Sequence, residues 1–107
     1  MGSDERMSYL MVMRINVSPD DFDRVAQENA DSMREISERS KDVGAIHHAF
    51  YVGDGEMLVV DEWDSPESFQ KFFEAEQPNI GPLMQAAGVQ GEPQIAFYRK
   101  SDSADAF

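Results

Sequence analysis

The chain has 107 residues, enough for one domain with a single modest core, and its 21 acidic against 9 basic residues give a formal net charge of -12. Nucleic acids and anionic membrane surfaces bind clustered lysine and arginine, so this charge balance argues against both as partners. The chain contains no cysteine, which excludes a thiol nucleophile, disulfides and thiolate metal ligands.

The first half of the chain predicts a strand followed by a helix. Ser8–Val17 is rich in β-formers and methionine with apolar residues on both faces, which is typical of a central strand. Ser18 predicts an N-cap, Pro19 suits the first helical position, and Gly44 ends the segment. One core-facing stripe of residues spaced by three or four runs along this helix: Phe22, Val25, Ala26, Asn29, Met33 and Ile36.

The second half predicts a hairpin, two helical pieces and a last strand. Ala45–Val52 and Glu56–Trp63 are β-rich runs joined by "GDG", a strong hairpin signal. "DSPESFQKFFEA" starts a helix with Ser65 as its N-cap, and a shorter helical piece covers about Ile80–Ala87. "PQIAFYRK" then gives a fourth strand.

The element order β-α-β-β-α-(α)-β predicts an α+β, ferredoxin-like domain at residues 8–100, in which helices cover one face of a four-stranded antiparallel sheet. We expect residues 1–7 and 101–107 to be flexible tails because both are polar. The strands carry large apolar residues on both faces, and a monomer would leave one of these faces in water. The sequence therefore predicts a homodimer that packs sheet against sheet.

The longest apolar runs of the sequence fall well short of the roughly 20 residues of a membrane span, and the N terminus lacks a signal-peptide pattern. We therefore expect a cytoplasmic protein. The "GDG" turn is not preceded by a strand that feeds a helix, so it is not a phosphate-binding loop and nucleotide cofactors are not supported.

The stretch "LVVDEWDSPESFQKFF" resembles the antibiotic biosynthesis monooxygenase type of dimeric α/β-barrel proteins. The resemblance covers roughly Ser8–Lys100 and implies a sheet-to-sheet dimer with a small-molecule pocket in each subunit. Some members of that superfamily oxidise polyketide-type phenols with dioxygen and no cofactor, whereas others degrade haem or dismutate chlorite. Trp63 matches the tryptophan shared by the cofactor-free oxygenases and the haem degraders.

The same resemblance argues against haem in this chain. The haem degraders ligate the metal through a helical histidine, and no histidine follows His48. Their first-strand asparagine aligns with Met13 here. We therefore expect no haem and no other cofactor.

His47 and His48 are the only histidines, and the hairpin register decides what each one meets. A two-residue turn at Asp54-Gly55 places His48 opposite Asp61 and His47 opposite Glu62, whereas a bulge at Gly55 sets His47 opposite Asp61. A carboxylate that holds one ring nitrogen leaves the other as a general base near neutral pH. The alternative is a buried pair that only fixes the register or the dimer interface.

The two adjacent histidines also suggest a metal site. Side chains alternate along a strand, so His47 and His48 cannot both reach one ion, and we predict no metal. One histidine, Asp61 and a residue from elsewhere remain an alternative.

Several apolar and aromatic residues are candidates for a substrate pocket. Their alternative role is core packing or, for the tyrosine, packing with a solvated tip. We predict that the pocket is lined by Met13, Phe50, Tyr51, Phe72, Phe73 and Met84, and that catalysis uses His48, Asp61, Trp63 or His47.

The leading hypothesis is a cofactor-independent oxygenase acting on a small aromatic or polyketide-like molecule. A histidine near Asp61 would deprotonate a phenol or enol, and the electron-rich anion would react with dioxygen. The alternatives are a non-catalytic dimer that binds a small ligand or stabilises a partner, and an isomerase or cyclase that uses the same base.

Overall fold

The computed structural model describes residues 8–107, so the N-terminal tail predicted at 1–7 lies outside the described residues. Four strands and four helices form an α+β, ferredoxin-like fold, which confirms the predicted fold class. In chain order the elements are β1 Tyr9–Ile15, α1 Pro19–Glu28, α2 Ala30–Lys41, β2 Ala45–Val52, β3 Met57–Trp63, α3 Pro66–Ala75, α4 Gln77–Ala87 and β4 Gln94–Arg99. Residues 101–107 are exposed and form no helix or strand.

The strand order β2-β3-β1-β4 makes one antiparallel sheet with β1 and β3 at its centre. Alternate residues of the two central strands are buried, because side chains alternate between the faces of a sheet and the helices cover one face. The buried residues of these strands are Met11, Met13, Ile15, Met57, Val59, Asp61 and Trp63.

The hairpin that "GDG" predicts is formed between β2 and β3, and of the two turns left open it has the two-residue turn. The Gly53 N–H donates to the Glu56 carbonyl at 2.8 Å, and Gly55 adopts a φ of 73°. His48 therefore pairs with Asp61, and His47 pairs with Glu62. The alternative bulge at Gly55 is not formed.

A bulge occurs instead at the other end of β2. Ala45 pairs with Trp63 and His47 pairs with Glu62, so Ile46 is the extra residue between them. Just before it, the Gly44 carbonyl accepts the Asp64 N–H at 2.9 Å. Gly44 has a φ of 117°, and a Cβ added there would lie 2.5 Å from Asp64 Oδ1, so the close approach of these two chain segments requires glycine.

The first helical segment differs from the prediction, since it is two helices that meet at Asn29. The Asn29 side-chain amide donates to the Val25 carbonyl at 2.8 Å, the same carbonyl that the Asn29 backbone N–H contacts at 3.0 Å. Asparagine side chains compete with the backbone in this way and interrupt regular helix. The residue takes φ -124° and ψ 32° as a result.

The predicted helix ends are otherwise close to those observed. Ser18 and Ser65 are both N-caps, and Ser65 Oγ accepts the Ser68 N–H at 3.1 Å. The last helix begins at Gln77, three residues before its predicted start, and ends at Ala87. Gly88 follows as its C-cap, and its left-handed φ of 82° is typical of a glycine in that position.

The sheet face opposite the helices is uncovered, and we call it the open face. Arg14 on this face forms an exposed ion pair with Glu56 at 2.9 Å. The other residues of the face form an apolar centre with a mixed rim: Leu10, Val12, His47, Ala49, Tyr51, Leu58, Val60, Glu62, Ala96 and Tyr98. Leu10, Tyr51 and Tyr98 are 41–56% exposed. Within residues 8–107, every helix is too short or too polar to cross a membrane.

Candidate active site

A cavity of about 130 Å³ lies between the helix-facing side of the sheet and the four helices. Its wall is apolar apart from a few side chains, because it is built from the inward-facing residues of the central strands and the core stripes of the helices. The polar residues that line it are His48, Asp61, Ser37 and Ser40.

His48, Asp61 and Trp63 form one hydrogen-bonded chain in the cavity wall. His48 Nδ1 lies 2.7 Å from Asp61 Oδ1, and the Trp63 indole N–H donates to Asp61 Oδ2 at 3.1 Å. Asp61 and Trp63 are almost fully buried, whereas the His48 side chain is 34% exposed. The strand alternation explains the grouping, since Asp61 and Trp63 are two residues apart on β3 and His48 is the cross-strand partner of Asp61.

This arrangement leaves Nε2 of His48 as the ring nitrogen that can act as a base. A neutral histidine that donates its Nδ1–H to a carboxylate carries a lone pair on Nε2, which can accept a proton from a bound molecule. The Trp63 N–H holds the second oxygen of Asp61 and thereby fixes the carboxylate against the imidazole. The indole N–H, the only hydrogen-bond donor of the Trp63 side chain, is therefore used by Asp61.

Aromatic rings support this group on both sides. The His48 ring meets Phe50 edge to face, with centroids 5.0 Å apart, and Phe50 in turn contacts Phe22 at 4.7 Å. The Trp63 ring contacts Phe69 and Phe72, each at 5.5 Å. Such ring pairs fix orientation as well as burying area.

The structure brings most of the predicted pocket residues to this cavity. Met13, Phe50, Phe72, Phe73 and Met84 line it together with His48, Asp61 and Trp63. His47 and Tyr51 do not line it, because they have the opposite parity on β2 and lie on the open face. Tyr51 therefore lies outside the pocket in which it was expected, and of the two histidines left open it is His48 that reaches the cavity.

The sequence analysis missed the two serines of the wall. Ser37 and Ser40 follow Met33 and Ile36 on α2 at the same helical spacing, so the periodicity that identified the apolar stripe also identifies them. Ser40 is buried and its hydroxyl donates to the Ser37 carbonyl at 2.6 Å.

An ion pair beside the cavity ties the helices that enclose it. Glu76 stands between α3 and α4, and it accepts Arg39 Nε at 2.6 Å, Arg39 Nη2 at 2.9 Å and Asn79 Nδ2 at 3.0 Å. Glu76 is buried, while Arg39 on α2 is half exposed. The Arg39 hydrogen bonds hold the pKa of the Glu76 carboxyl below its usual range, and the bond from Asn79 adds to this effect.

Glu76→Gln is expected to lower the free energy of unfolding at pH 7 by about 1–3 kcal/mol, because a buried, charge-assisted hydrogen-bonded group loses its charge. A depressed folded-state pKa contributes stability above the unfolded pKa of about 4.3, and this contribution is lost as pH falls through the folded pKa. The difference between wild type and variant should therefore shrink below about pH 4. Urea unfolding at pH 7 and at pH 3 measures it.

Glu74→Gln on the same helix is the matched control, since Glu74 is exposed. It should change stability by less than about 0.5 kcal/mol at either pH. Equal losses in the two variants at pH 7, or a Glu76→Gln loss that does not change with pH, would contradict the role given to the ion pair.

A structural metal site needs several ligating side chains within reach of one ion, and the structure describes residues 8–107. No group of three or more histidine, aspartate or glutamate side chains there is close enough to hold an ion.

No protein-family model matches the sequence, and no curated protein matches it either. Solved structures do match. A monooxygenase of Streptomyces coelicolor in complex with nanaomycin D is 15% identical with a TM-score of 0.70, over 97% of this chain and 96% of that one. A dimeric ferredoxin-like protein from an uncultured marine organism is 14% identical with a TM-score of 0.67, over 94% of each chain.

SnoaB, a cofactor-independent oxygenase from Streptomyces nogalater, is 15% identical with a TM-score of 0.59, over 94% of this chain and 99% of that one. Identities this low establish a shared fold and leave activity to be argued from the site. The chain thus shares the ferredoxin-like fold of these proteins.

Proposed function

We propose that the protein is a homodimeric enzyme that oxidises a small aromatic phenol or enol with dioxygen and without a cofactor. The observation that carries this proposal is the pairing of His48 with buried Asp61 in the wall of a largely apolar cavity. The similarity to SnoaB, a cofactor-independent oxygenase, supports the choice of reaction.

The first step is proton transfer from the substrate hydroxyl to His48 Nε2. Asp61 stabilises the imidazolium that forms, since its Oδ1 already holds Nδ1. The apolar wall keeps water from solvating the resulting phenolate or enolate, which therefore keeps its electron density on the ring carbons.

The second step joins this carbanion-like carbon to dioxygen. Transfer of one electron to dioxygen and recombination of the two radicals form a carbon–oxygen bond and a peroxide anion, which takes the proton back from His48. Loss of the hydrogen on that carbon and cleavage of the O–O bond release water and leave a carbonyl. Dioxygen is reduced, the substrate loses two hydrogens and gains one oxygen, and a phenol becomes a quinone.

The homodimer is proposed from the open face. Apolar side chains occupy its centre, and the helices cover only the other side of the sheet. A dimeric protein among the structural neighbours has the same ferredoxin-like fold. Because the cavity lies on the helix side, each subunit carries a complete His48–Asp61–Trp63 group.

An oxygen electrode tests the reaction with a panel of phenols and enolisable ketones in the presence of a metal chelator. We expect one dioxygen consumed per product and one ¹⁸O atom in the product when ¹⁸O₂ is supplied. An isomeric product without oxygen uptake would indicate an isomerase or cyclase, and tight binding without turnover would indicate a binding protein.

A further inference from the structure

We propose, on the basis of the proposed function, that the substrate is an uncharged phenol or enol of about one aromatic ring. Substrates that carry a carboxylate or phosphate, and substrates of three fused rings, are excluded. Charge, polarity and volume of the cavity each support this assignment.

Apart from His48, which is positive only after it takes a proton from the substrate, the described wall of the cavity offers no cation to an anionic ligand. Its lining holds the Asp61 carboxylate and, within the described residues, no lysine or arginine. Two cations that neighbour lining residues in sequence form ion pairs elsewhere, since Arg39 binds Glu76 and Arg14 on the open face binds Glu56. An anionic ligand would lose its hydration and lie near the negative charge of Asp61. The free-energy cost of both effects is far larger than the gain from apolar contacts.

The polar groups of the wall fit a neutral ligand with few oxygens. His48 receives the acidic hydroxyl, and the hydroxyls of Ser37 and Ser40 are the other polar side chains of the lining. Ser40 already donates to the Ser37 carbonyl, so Ser37 is the hydroxyl that remains for a second, uncharged substituent. The rest of the lining contributes only apolar surface.

The volume limits the number of rings. A cavity of about 150 Å³ lined by apolar side chains holds one benzene, and the cavity here is about 130 Å³. Phe50 and Phe72 bound it and are fixed by ring contacts with Phe22 and Trp63. Two further fused rings would have to displace these side chains from a packed core.

Trp63 supplies the readout, because it is the only tryptophan of the chain and its ring lines the cavity. Its fluorescence is titrated at pH 7 with methyl 4-hydroxybenzoate, 4-hydroxybenzoate and a three-ring anthrol, and calorimetry repeats each titration. We expect the neutral ester to bind at least tenfold more tightly than the acid and than the anthrol. Equal or tighter binding of the acid or the anthrol, or no binding of the ester, would overturn the proposal.

A variant pair tests the charge argument directly. Ser37→Lys places a cation in the wall and should raise the affinity for 4-hydroxybenzoate relative to the ester by about tenfold, whereas Ser37→Met, of similar length and uncharged, should not. Equal ratios in the two variants would contradict the argument.

Oxygen uptake with the same three compounds separates this inference from the proposed function. Uptake with the acid or the anthrol alone would overturn the substrate class and leave the oxygenase reaction standing. Tight binding of the ester with no uptake from any tested phenol would support the ligand class and contradict the reaction.

Discussion

His48→Gln and Asp61→Asn are each expected to lower kcat by roughly 10²–10⁴-fold, the usual contribution of a general base. Glutamine at position 48 has no basic nitrogen, and asparagine at position 61 no longer stabilises an imidazolium. Both changes are close to isosteric, and the His48 side chain is 34% exposed. Melting temperatures should therefore stay within a few degrees of wild type. Oxygen-uptake kinetics and thermal unfolding of each variant test this expectation.

His47→Gln is the matched control, because His47 is the next residue of the same strand and lies on the open face. Its turnover should equal that of wild type. A structural role for the pair predicts the reverse pattern, in which His48→Gln and Asp61→Asn each lose about 1–3 kcal/mol of stability while turnover is unchanged. That pattern would remove His48 from the reaction.

Val60→Lys is expected to convert the proposed dimer of 12.1 kDa chains into monomers. Val60 lies at the centre of the open face, opposite Val12 on one side and Ala49 on the other. In a sheet-to-sheet dimer this position is buried, and an unpaired lysine there would cost several kcal/mol in each subunit. Sedimentation at micromolar concentration measures the mass, and far-UV circular dichroism checks the fold.

Val43→Lys is the control for this substitution. Val43 lies in the turn before β2, is 49% exposed and is not part of the open face. The Val43→Lys protein should sediment as wild type does. A wild-type protein that is monomeric at micromolar concentration would contradict the dimer itself.

Local patterns predicted much of this fold because the physics behind them is local. The "GDG" pattern predicted the hairpin and left two registers open, of which the structure has the one that pairs His48 with Asp61. Serine–proline pairs marked the starts of α1 and α3. Strand alternation also indicates that His48 and Phe50 share a face while Tyr51 does not, so placing Phe50 and Tyr51 in one pocket contradicted a rule that the sequence already supplied.

The remaining differences depend on side-chain rotamers and contacts that residue spacing does not specify. Asn29 continues the helical spacing of its neighbours, and only its side-chain bond to the Val25 carbonyl interrupts the helix. The Asp61–Trp63 bond and the Arg39–Glu76 ion pair need rotamers set by the surrounding core. The cavity itself is the space left between sheet and helices. Its volume depends on several segments at once, so it cannot be predicted from any one of them.

The bulge at Ile46 is a point in β2 where the length of the chain can change without moving the residues of the site. The hairpin fixes His48 from one end of the strand, Gly44 fixes the other end against Asp64, and Ile46 takes up the odd residue between the two. Removing that residue would close the bulge with both pairings in place, since Ala45 and His47 already face consecutive residues of β3. A family of such chains can therefore gain or lose one residue here during evolution without turning its histidine away from Asp61.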